Sequence, residues 1–109
     1  MDSDYKKVRI LIMYDLPMTE NIDVKEYNKF RKNLLTLGCY RIQYSIYAKI
    51  LGKEVNYNSF ITKLKKVLPS SGEIRVIKIT EKQYENMIFL SGSRNNHEKK
   101  VSKESVVIF

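Results

Sequence analysis

The hydrophobic and polar positions along this chain follow two periods, and each change of period marks a new element. Residues 8–14 form a nearly continuous apolar run, which is typical of a central strand covered on both faces. Apolar residues then recur at helical spacing from Val24 to Leu37, with Asp23 as the expected N-cap and Gly38 beyond the end. The pattern therefore predicts a buried strand followed by an amphipathic helix.

The next segments repeat this order of strand and helix. Residues 39–51 are rich in aromatic and β-branched residues, and they predict either one bent strand or two short strands with a corner near Gln43 and Tyr44. Apolar spacing predicts a second helix over residues 57–68, and a further strand follows at residues 73–80. With right-handed crossovers, this order predicts an α+β ferredoxin-like sandwich (βαββαβ) with helices on one face of the sheet.

Short elements are expected beyond this unit. Residues 80–83 have the threonine-x-x-glutamine form of a capping box and predict one short helical turn, and the apolar residues 87–90 predict a short strand. A polar connector follows, and residues 106–109 predict an apolar strand at a sheet edge of the same chain or of a second copy. We therefore expect a ferredoxin-like domain over residues 1–90 and a connector with an edge strand over residues 91–109.

The charge is concentrated in the middle of the chain. The 109 residues carry a formal net charge of +8, and residues 25–66 hold ten bases against two acids. A concentrated basic stretch favours binding to a polyanion, most often nucleic acid. A solvated surface that only keeps the protein soluble is the alternative interpretation.

Composition also limits where the protein acts. Cys39 is the only cysteine, so no intrachain disulfide and no cysteine-based zinc site can form, which fits a reducing compartment. No window approaches the roughly 20 apolar residues that a membrane helix needs. We therefore expect a cytoplasmic protein that makes no contact with a membrane.

Few residues offer catalytic chemistry. The glycines stand singly, which excludes a Gly-rich phosphate loop; His97 lies in the polar connector, and Cys39 is predicted to be a buried hydrophobe. Asp15 follows the apolar first strand directly, at a strand end where a carboxylate could hold Mg²⁺, although it also suits a turn. A twofold dimer would place two Asp15 side chains across an isologous interface and so supply more oxygen ligands.

Two motifs in this order carry a family resemblance. Residues 14–17 (Tyr-Asp-Leu-Pro), a basic amphipathic helix and residues 41–47 (Arg-Ile-Gln-Tyr-Ser-Ile-Tyr) resemble the Cas-two family, small ferredoxin-like CRISPR-associated proteins of the spacer-acquisition module. The family marks are Tyr-Asp at the end of the first strand and Arg-x-Gln-x-Ser-Val-Phe/Tyr after the first helix; here Ile46 replaces the valine. Residues 80–84 are also similar to family members found beside Cas9-type effectors.

The resemblance implies roles for particular residues. Asp15 falls on the family's catalytic, metal-binding aspartate, contributed once per subunit of a homodimer and expected to hold Mg²⁺. Arg41 and Tyr47 fall on positions linked in the family to nuclease function, and Ser45 matches the same motif, so Ser45 and Tyr47 are expected to support the site. Six basic residues are expected to contact nucleic acid: Arg31, Lys32, Arg41, Lys63, Lys65 and Lys66.

The resemblance also implies a function and partners. Family members are described as metal-dependent endonucleases acting on single-stranded RNA or double-stranded DNA. They also form a heterohexamer in which one dimer bridges two dimers of the CRISPR-associated integrase during spacer insertion. We therefore expect a dimeric DNA-binding scaffold of spacer acquisition, with a magnesium-dependent endonuclease site on each chain.

Two other functions remain open at this point. A stand-alone ribonuclease toxin of the VapD type would share the fold and an aspartate but would work without an integrase. An RNA-binding sheet of the RNA-recognition-motif type would need a Lys/Arg-Gly-Phe/Tyr-Gly/Ala-Phe-Val stretch, which the chain lacks. The toxin is therefore the stronger alternative.

Overall fold

The computed structural model describes residues 7–52 and 56–93, and this part of the chain forms one four-stranded antiparallel sheet with three helices. The elements are β1 (Val8–Asp15), α1 (Asn21–Thr36), β2 (Tyr40–Gln43), β3 (Ile46–Ile50), α2 (Tyr57–Lys65), β4 (Glu73–Thr80) and α3 (Glu81–Glu85). The strands lie in the order β2-β3-β1-β4. This βαββαβ arrangement is that of a ferredoxin-like sandwich, so the predicted fold class is confirmed.

One face of the sheet packs against the two long helices. β1 is central, because it pairs with β3 on one side and with β4 on the other. Every second side chain of β1 points into a core shared with α1 and α2. The most buried side chains of this core are Ile10, Ile12, Tyr14, Phe30, Leu34, Phe60 and Leu64. Each fully buried Ile, Leu or Phe side chain stabilises the fold by roughly 1.5–3 kcal/mol.

Among the described residues, α3 alone covers the opposite face of the sheet, and it does so at one end. Arg9 is fully buried there, and its guanidinium donates to the Glu81 carboxylate of α3 at 2.8 and 2.5 Å. The same guanidinium lies 3.8 Å from the centroid of the Tyr84 ring. Leu11 and Met13, farther along β1, are only half-buried. The prediction that β1 is covered on both faces is thus correct near Arg9 and wrong along the rest of the strand.

The start of α1 differs from the prediction. Asp23 is not the N-cap, because the helix begins at Asn21 with Glu20 as its N-cap. The Asp23 carboxylate instead accepts hydrogen bonds from the backbone N–H groups of Glu20 (3.0 Å) and Thr19 (3.2 Å). It therefore caps the helix from inside the first turn, as the third residue of a capping box does.

The second helix is shorter than predicted. α2 ends at Lys65, and the N–H groups of Lys66 and Val67 bond to the carbonyls of Lys63 and Leu64 at 3.2 and 3.0 Å. These i to i+3 hydrogen bonds tighten the last turn and satisfy carbonyl groups that the helix leaves open. The apolar spacing up to residue 68 therefore continues into a turn, in which Val67 packs against the core and Leu68 is exposed.

Residues 39–51 form two strands rather than one. β2 and β3 pair as a hairpin whose corner is Tyr44 and Ser45, one residue later than expected, with a register shift between Arg41 and Gln43. The predicted capping box is confirmed, because the Gln83 N–H donates to the Thr80 hydroxyl at 3.1 Å and the Thr80 N–H donates to the Gln83 side chain at 2.8 Å.

The predicted short strand at residues 87–90 is wrong. No strand among residues 7–52 and 56–93 pairs with this segment, and Ile88 and Leu90 are 79% and 96% exposed. Apolar character alone cannot make a strand, because a strand also needs a neighbour for its backbone hydrogen bonds. The connector after residue 93 and the strand at 106–109 lie outside the described residues.

None of the helices in the described ranges has the length and apolar content needed to cross a membrane.

Candidate functional site

Asp15 lies at the end of β1, exposed to solvent, on the face that the long helices do not cover. In the antiparallel register its partner across the sheet is Glu73, the first residue of β4. Opposite residues of such a pair place their Cβ atoms roughly 4.5–5.5 Å apart on one face of the sheet. The two carboxylates open onto a cavity of about 400 Å³ lined by Met13, Tyr14, Asp15, Ser45, Ile46, Glu73 and Arg75.

A glycine allows the chain to pass close to Asp15. Gly72 has φ +97°, a positive-φ backbone conformation that residues other than glycine rarely adopt. A Cβ atom on Gly72 would lie 2.7 Å from the Asp15 carbonyl oxygen and 2.4 Å from Cδ2 of Leu16. The approach to β4 therefore depends on glycine, and β4 in turn places Glu73 beside Asp15.

The hairpin corner brings Ser45 to the same cavity. The backbone N–H of Tyr14 donates to the Ser45 carbonyl at 3.1 Å, beyond the last paired residues of β1 and β3. The hydroxyl of Tyr27, on α1, donates to the carbonyl of Tyr44 at 3.3 Å. Ser45 therefore joins Asp15 at the site, and its backbone fixes the end of β1.

An aromatic cluster lies beneath the site. The Tyr14 ring contacts the rings of Tyr27, Phe30 and Tyr47 at centroid distances of 5.8, 5.1 and 6.0 Å. Burial raises the pKa of the Tyr14 phenol well above its usual range, and its oxygen has no hydrogen-bond partner among the described residues. The rings of Tyr14 and Tyr47 therefore pack under the cavity, and Tyr47 does not line it.

Glu73 is the site residue that the sequence did not predict. In the sequence, Glu73 is marked only by its position at the start of a predicted strand. The register that sets it opposite Asp15 depends on pairing between two strands far apart in the sequence. Two like charges opposite each other destabilise a sheet. Arg75, whose Nη2 lies 3.5 Å from the Glu73 carboxylate, offsets part of that repulsion at the exposed surface.

The site fits a magnesium ion that is only partly held by protein. Mg²⁺ prefers oxygen ligands and commonly uses one or two carboxylates, with water and phosphate oxygens completing its shell. Asp15 and Glu73 supply two carboxylates, and the described residues contain no group of three metal-ligating side chains. A phosphate group or a second chain would have to add further ligands.

Cys39 offers no alternative chemistry. It is 5% exposed, and burial raises the pKa of its thiol to about 11. A thiol with that pKa is protonated near neutral pH and is a weak nucleophile. The prediction that Cys39 is a buried hydrophobe is confirmed.

Most of the predicted basic residues lie on the helix layer, away from Asp15. Arg31 and Lys32 are on α1, whereas Lys63, Lys65 and Lys66 are at the end of α2, and none of these five forms an ion pair with a described residue. Arg41 is exposed on β2, opposite Tyr47 in the register. Arg75 is the one base among the residues that line the Asp15 cavity, so the structure separates a carboxylate site from a basic layer.

Two clefts between α1 and α2 extend this basic layer. One, of about 390 Å³, is lined by Thr36, Leu37, Lys49, Ile50, Leu51, Asn56, Ser59, Phe60 and Lys63. The other, of about 400 Å³, is lined by Glu26, Lys29, Phe30, Asn33, Lys66, Val67, Leu68, Pro69 and Ser70. Each cleft is therefore lined by two lysines, and Glu26 is the one acid among the residues that line them.

Comparison with known proteins identifies the family. Residues 8–87 match the family described as CRISPR associated protein Cas2, which is the Cas-two family indicated by the motifs. A protein of Ligilactobacillus salivarius called CRISPR-associated endoribonuclease Cas2 is 33% identical over 101 residues, which span 93% of this chain and all of that protein. Proteins with the same name from Acidovorax ebreus and Streptococcus mutans (strain ATCC 700610 / UA159) are 36% and 38% identical, over 94% and 81% of this chain and 100% and 81% of their own lengths.

A solved structure supports the fold independently. A crystal structure described as that of Cas2 superposes with a TM-score of 0.55 at 17% identity, covering 83% of this chain and 91% of that one. At this identity the likeness shows the fold alone. The family match over residues 8–87 and the sequence identity to the relatives show more than the fold. The chain belongs to the Cas2 family of CRISPR-associated proteins.

Proposed function

We propose that this protein acts in CRISPR spacer acquisition as a dimeric, DNA-binding scaffold that bridges two dimers of the CRISPR-associated integrase. One observation carries the proposal: the two faces of the molecule differ in chemistry. The helix layer presents five cations that form no ion pair with a described residue, and the other face of the sheet is largely apolar. Such a molecule can bind a polyanion on one side and another protein surface on the other.

The helix layer suits a nucleic-acid backbone. Lys63, Lys65 and Lys66 lie within one turn of each other at the end of α2, and Arg31 and Lys32 lie on the neighbouring α1. Contacts from such side chains to phosphates release counterions and do not read sequence. A scaffold that must accept spacers of any sequence needs binding of this kind.

The sheet face on which the described residues place only α3 suits a second copy of the chain. Leu11 of β1 lies opposite Ile77 of β4, and Ile77 is 47% exposed. In a twofold dimer the same patch is used by both chains. Because Asp15 is on the same side of β1 as Leu11, pairing through this face would bring the two Asp15 sites toward one another.

A second function is favoured by the relatives, which are named endoribonucleases, and by the paired carboxylates of the cavity. Asp15 and Glu73 are the residues that would hold Mg²⁺, and Arg75 is placed to attract a phosphate. A bound Mg²⁺ would supply Lewis-acid activation of a phosphate ester and of a water molecule. On this proposal each chain carries the acidic part of a nuclease site in addition to its scaffold surfaces.

The test is an integration assay with the integrase of the same CRISPR locus. We expect Asp15→Ala to support spacer integration like the wild type, because the scaffold surfaces do not include Asp15. Replacing Lys63, Lys65 and Lys66 together by alanine should weaken duplex binding equally for all sequences. The slope of log affinity against log salt should fall by roughly 0.9 for each phosphate that the variant no longer neutralises.

The single variant Lys65→Ala should weaken duplex binding in the same way but less. Its matched control is Lys82→Ala, because Lys82 is an exposed lysine on α3, outside the helix layer. It should leave the salt dependence unchanged. Loss of integration in Asp15→Ala, with dimer and DNA affinity intact, would contradict the scaffold. RNA cleavage by the purified protein alone that disappears in Asp15→Asn would establish the ribonuclease function, and integrase-independent action would favour the VapD-type alternative.

A further inference from the structure

Tyr44 combines exposure with a fixed orientation. It stands at the corner between β2 and β3, and 65% of its surface is exposed, although one face of its ring stacks on Tyr27 with centroids 5.7 Å apart and planes at 23°. Proteins hold unpaired bases by stacking them on such open aromatic faces. We propose that Tyr44 is a stacking platform for an unpaired nucleobase at a single-stranded end of the bound nucleic acid.

The platform is held rigidly from below. The Tyr27 hydroxyl donates to the Tyr44 carbonyl at 3.3 Å, so the same helix residue supports both the ring and the backbone of Tyr44. The next carbonyl along the chain, that of Ser45, accepts from the Tyr14 N–H at 3.1 Å. A ring fixed before binding loses little conformational entropy when a base stacks on it, which makes the stacking energy available for affinity.

The surroundings of Tyr44 suit a nucleotide better than a protein. Gln43 and Ser45 flank it on the chain, and the partly exposed apolar residues of β1 and β4 lie on the opposite face of the sheet. Arg31 lies one helical turn from Tyr27 on the same side of α1, and Arg41 precedes Tyr44 by three residues on β2. Both cations therefore lie on the two elements that carry or adjoin the stacked rings, and they add positive charge to this side of the molecule.

This inference rests on the proposed function and adds a substrate preference to it. The lysines at the end of α2 would hold a duplex by its backbone, whereas Tyr44 would hold an unpaired base at its end. Ser45, the next residue, lines the cavity that contains Asp15 and Glu73. A strand held at Tyr44 would therefore lie beside the carboxylate site, whether it is DNA or RNA, because stacking does not read the sugar.

The experiment compares binding of a blunt duplex with that of the same duplex carrying a short single-stranded overhang, made in DNA and in RNA. The fluorescent base 2-aminopurine in the overhang reports stacking through quenching. We expect the wild type to quench it and to prefer the overhang. Tyr44→Leu should lose both effects, with roughly a five- to hundredfold loss of affinity for the overhang substrate, whereas Tyr44→Phe should retain them.

Two controls separate the causes of a change. Ile22→Ala also shortens an exposed apolar side chain, of which 63% is exposed, on α1, and it should leave quenching unchanged. Thermal unfolding of each variant shows that the fold persists. Affinity for the blunt duplex should be the same in wild type, Tyr44→Leu and Tyr44→Phe, because the platform contacts only an unpaired base.

Three other results would each show which of the two proposals is wrong. If the blunt duplex binds with the expected salt dependence but Tyr44→Leu leaves overhang binding and quenching unchanged, the platform is wrong and the scaffold stands. If no duplex binds and the α2 lysines have no effect, the proposed duplex scaffold is wrong. A preference for single strands that depends on Tyr44 would still support the stacking platform in that case. If Tyr44→Leu instead weakens dimerisation, the ring belongs to a protein interface and the proposal is overturned.

Discussion

Two ion pairs among the described residues each join an arginine to a glutamate, but one pair is largely buried and the other is exposed. Arg9 is buried between Tyr84 and the Glu81 carboxylate, whereas the pair of Arg75 and Glu73 is largely exposed. Burial is the largest single influence and lowers the pKa of Arg9, but the hydrogen bond to Glu81 and the electrostatic interactions with Tyr40, Glu81 and Tyr84 together raise that pKa above its usual value. Arg9 is therefore a buried cation whose carboxylate partner comes from α3 and whose second hydrogen-bond partner is the Tyr40 hydroxyl of β2.

The first prediction contrasts these pairs. Glu81→Ala should lower the free energy of unfolding by about 3 kcal/mol, because it leaves the Arg9 cation buried without its carboxylate. Glu73→Ala should lower it by less than about 1 kcal/mol, because water screens the exposed pair. Urea unfolding followed by circular dichroism measures both. Equal losses in the two variants would show that burial of Arg9 is not what makes its partner important.

At the scale of elements, local signals could be read from the sequence and long-range ones could not. The period of apolar residues predicted β1 and both long helices, and the capping box at Thr80 predicted α3, because these depend on residues within a few positions. The segment 87–90 was predicted to be a strand and is not, because a strand depends on a pairing edge elsewhere.

The candidate site shows the same limit. Asp15 could be proposed from its position at the end of an apolar strand, and Ser45 could be proposed from the motif that it shares with the family. Glu73 could not, because only the antiparallel register of β1 with β4 sets it opposite Asp15. Tyr47 was expected to support the site, and its ring lies instead beneath it, because alternation along β3 turns Tyr47 to the helix side of the sheet.

The second prediction concerns the loop that leads into β4. Gly72→Ala should cost about 3 kcal/mol of stability, from roughly 1–2 kcal/mol for a positive φ and the remainder from the close approach to Leu16 and Asp15. Gly52→Ala is the control, because Gly52 has φ +73° and its added Cβ would meet no described atom within 4 Å. It should cost only about 1 kcal/mol. Thermal unfolding measures both, and equal costs would contradict a close approach at Gly72.

At the scale of the whole molecule, the fold separates charge from apolar surface. The basic stretch at residues 25–66 spans α1, the β2–β3 hairpin and α2. Five of the cations predicted to contact nucleic acid lie on the two long helices or directly after α2, and none of these five forms an ion pair with a described residue: Arg31, Lys32, Lys63, Lys65 and Lys66. The alternating pattern of β1 and β4 instead leaves a row of apolar side chains on the other side of the sheet. The net charge follows from the composition alone. The placement of these basic residues on the helix side of the sheet follows only from the order and pairing of the elements.

The third prediction tests what the apolar side is for. Ile77→Lys should convert a dimer into a monomer and raise the dimer dissociation constant by roughly a hundredfold or more, because an interface at Ile77 would have to bury an unpaired cation. Ile22→Lys makes the same change at an isoleucine 63% exposed on α1 and should leave the dimer intact. Sedimentation velocity over a range of concentrations measures both. Dissociation by both variants would point to net charge rather than to this face, and an unaffected dimer in Ile77→Lys would place the interface elsewhere.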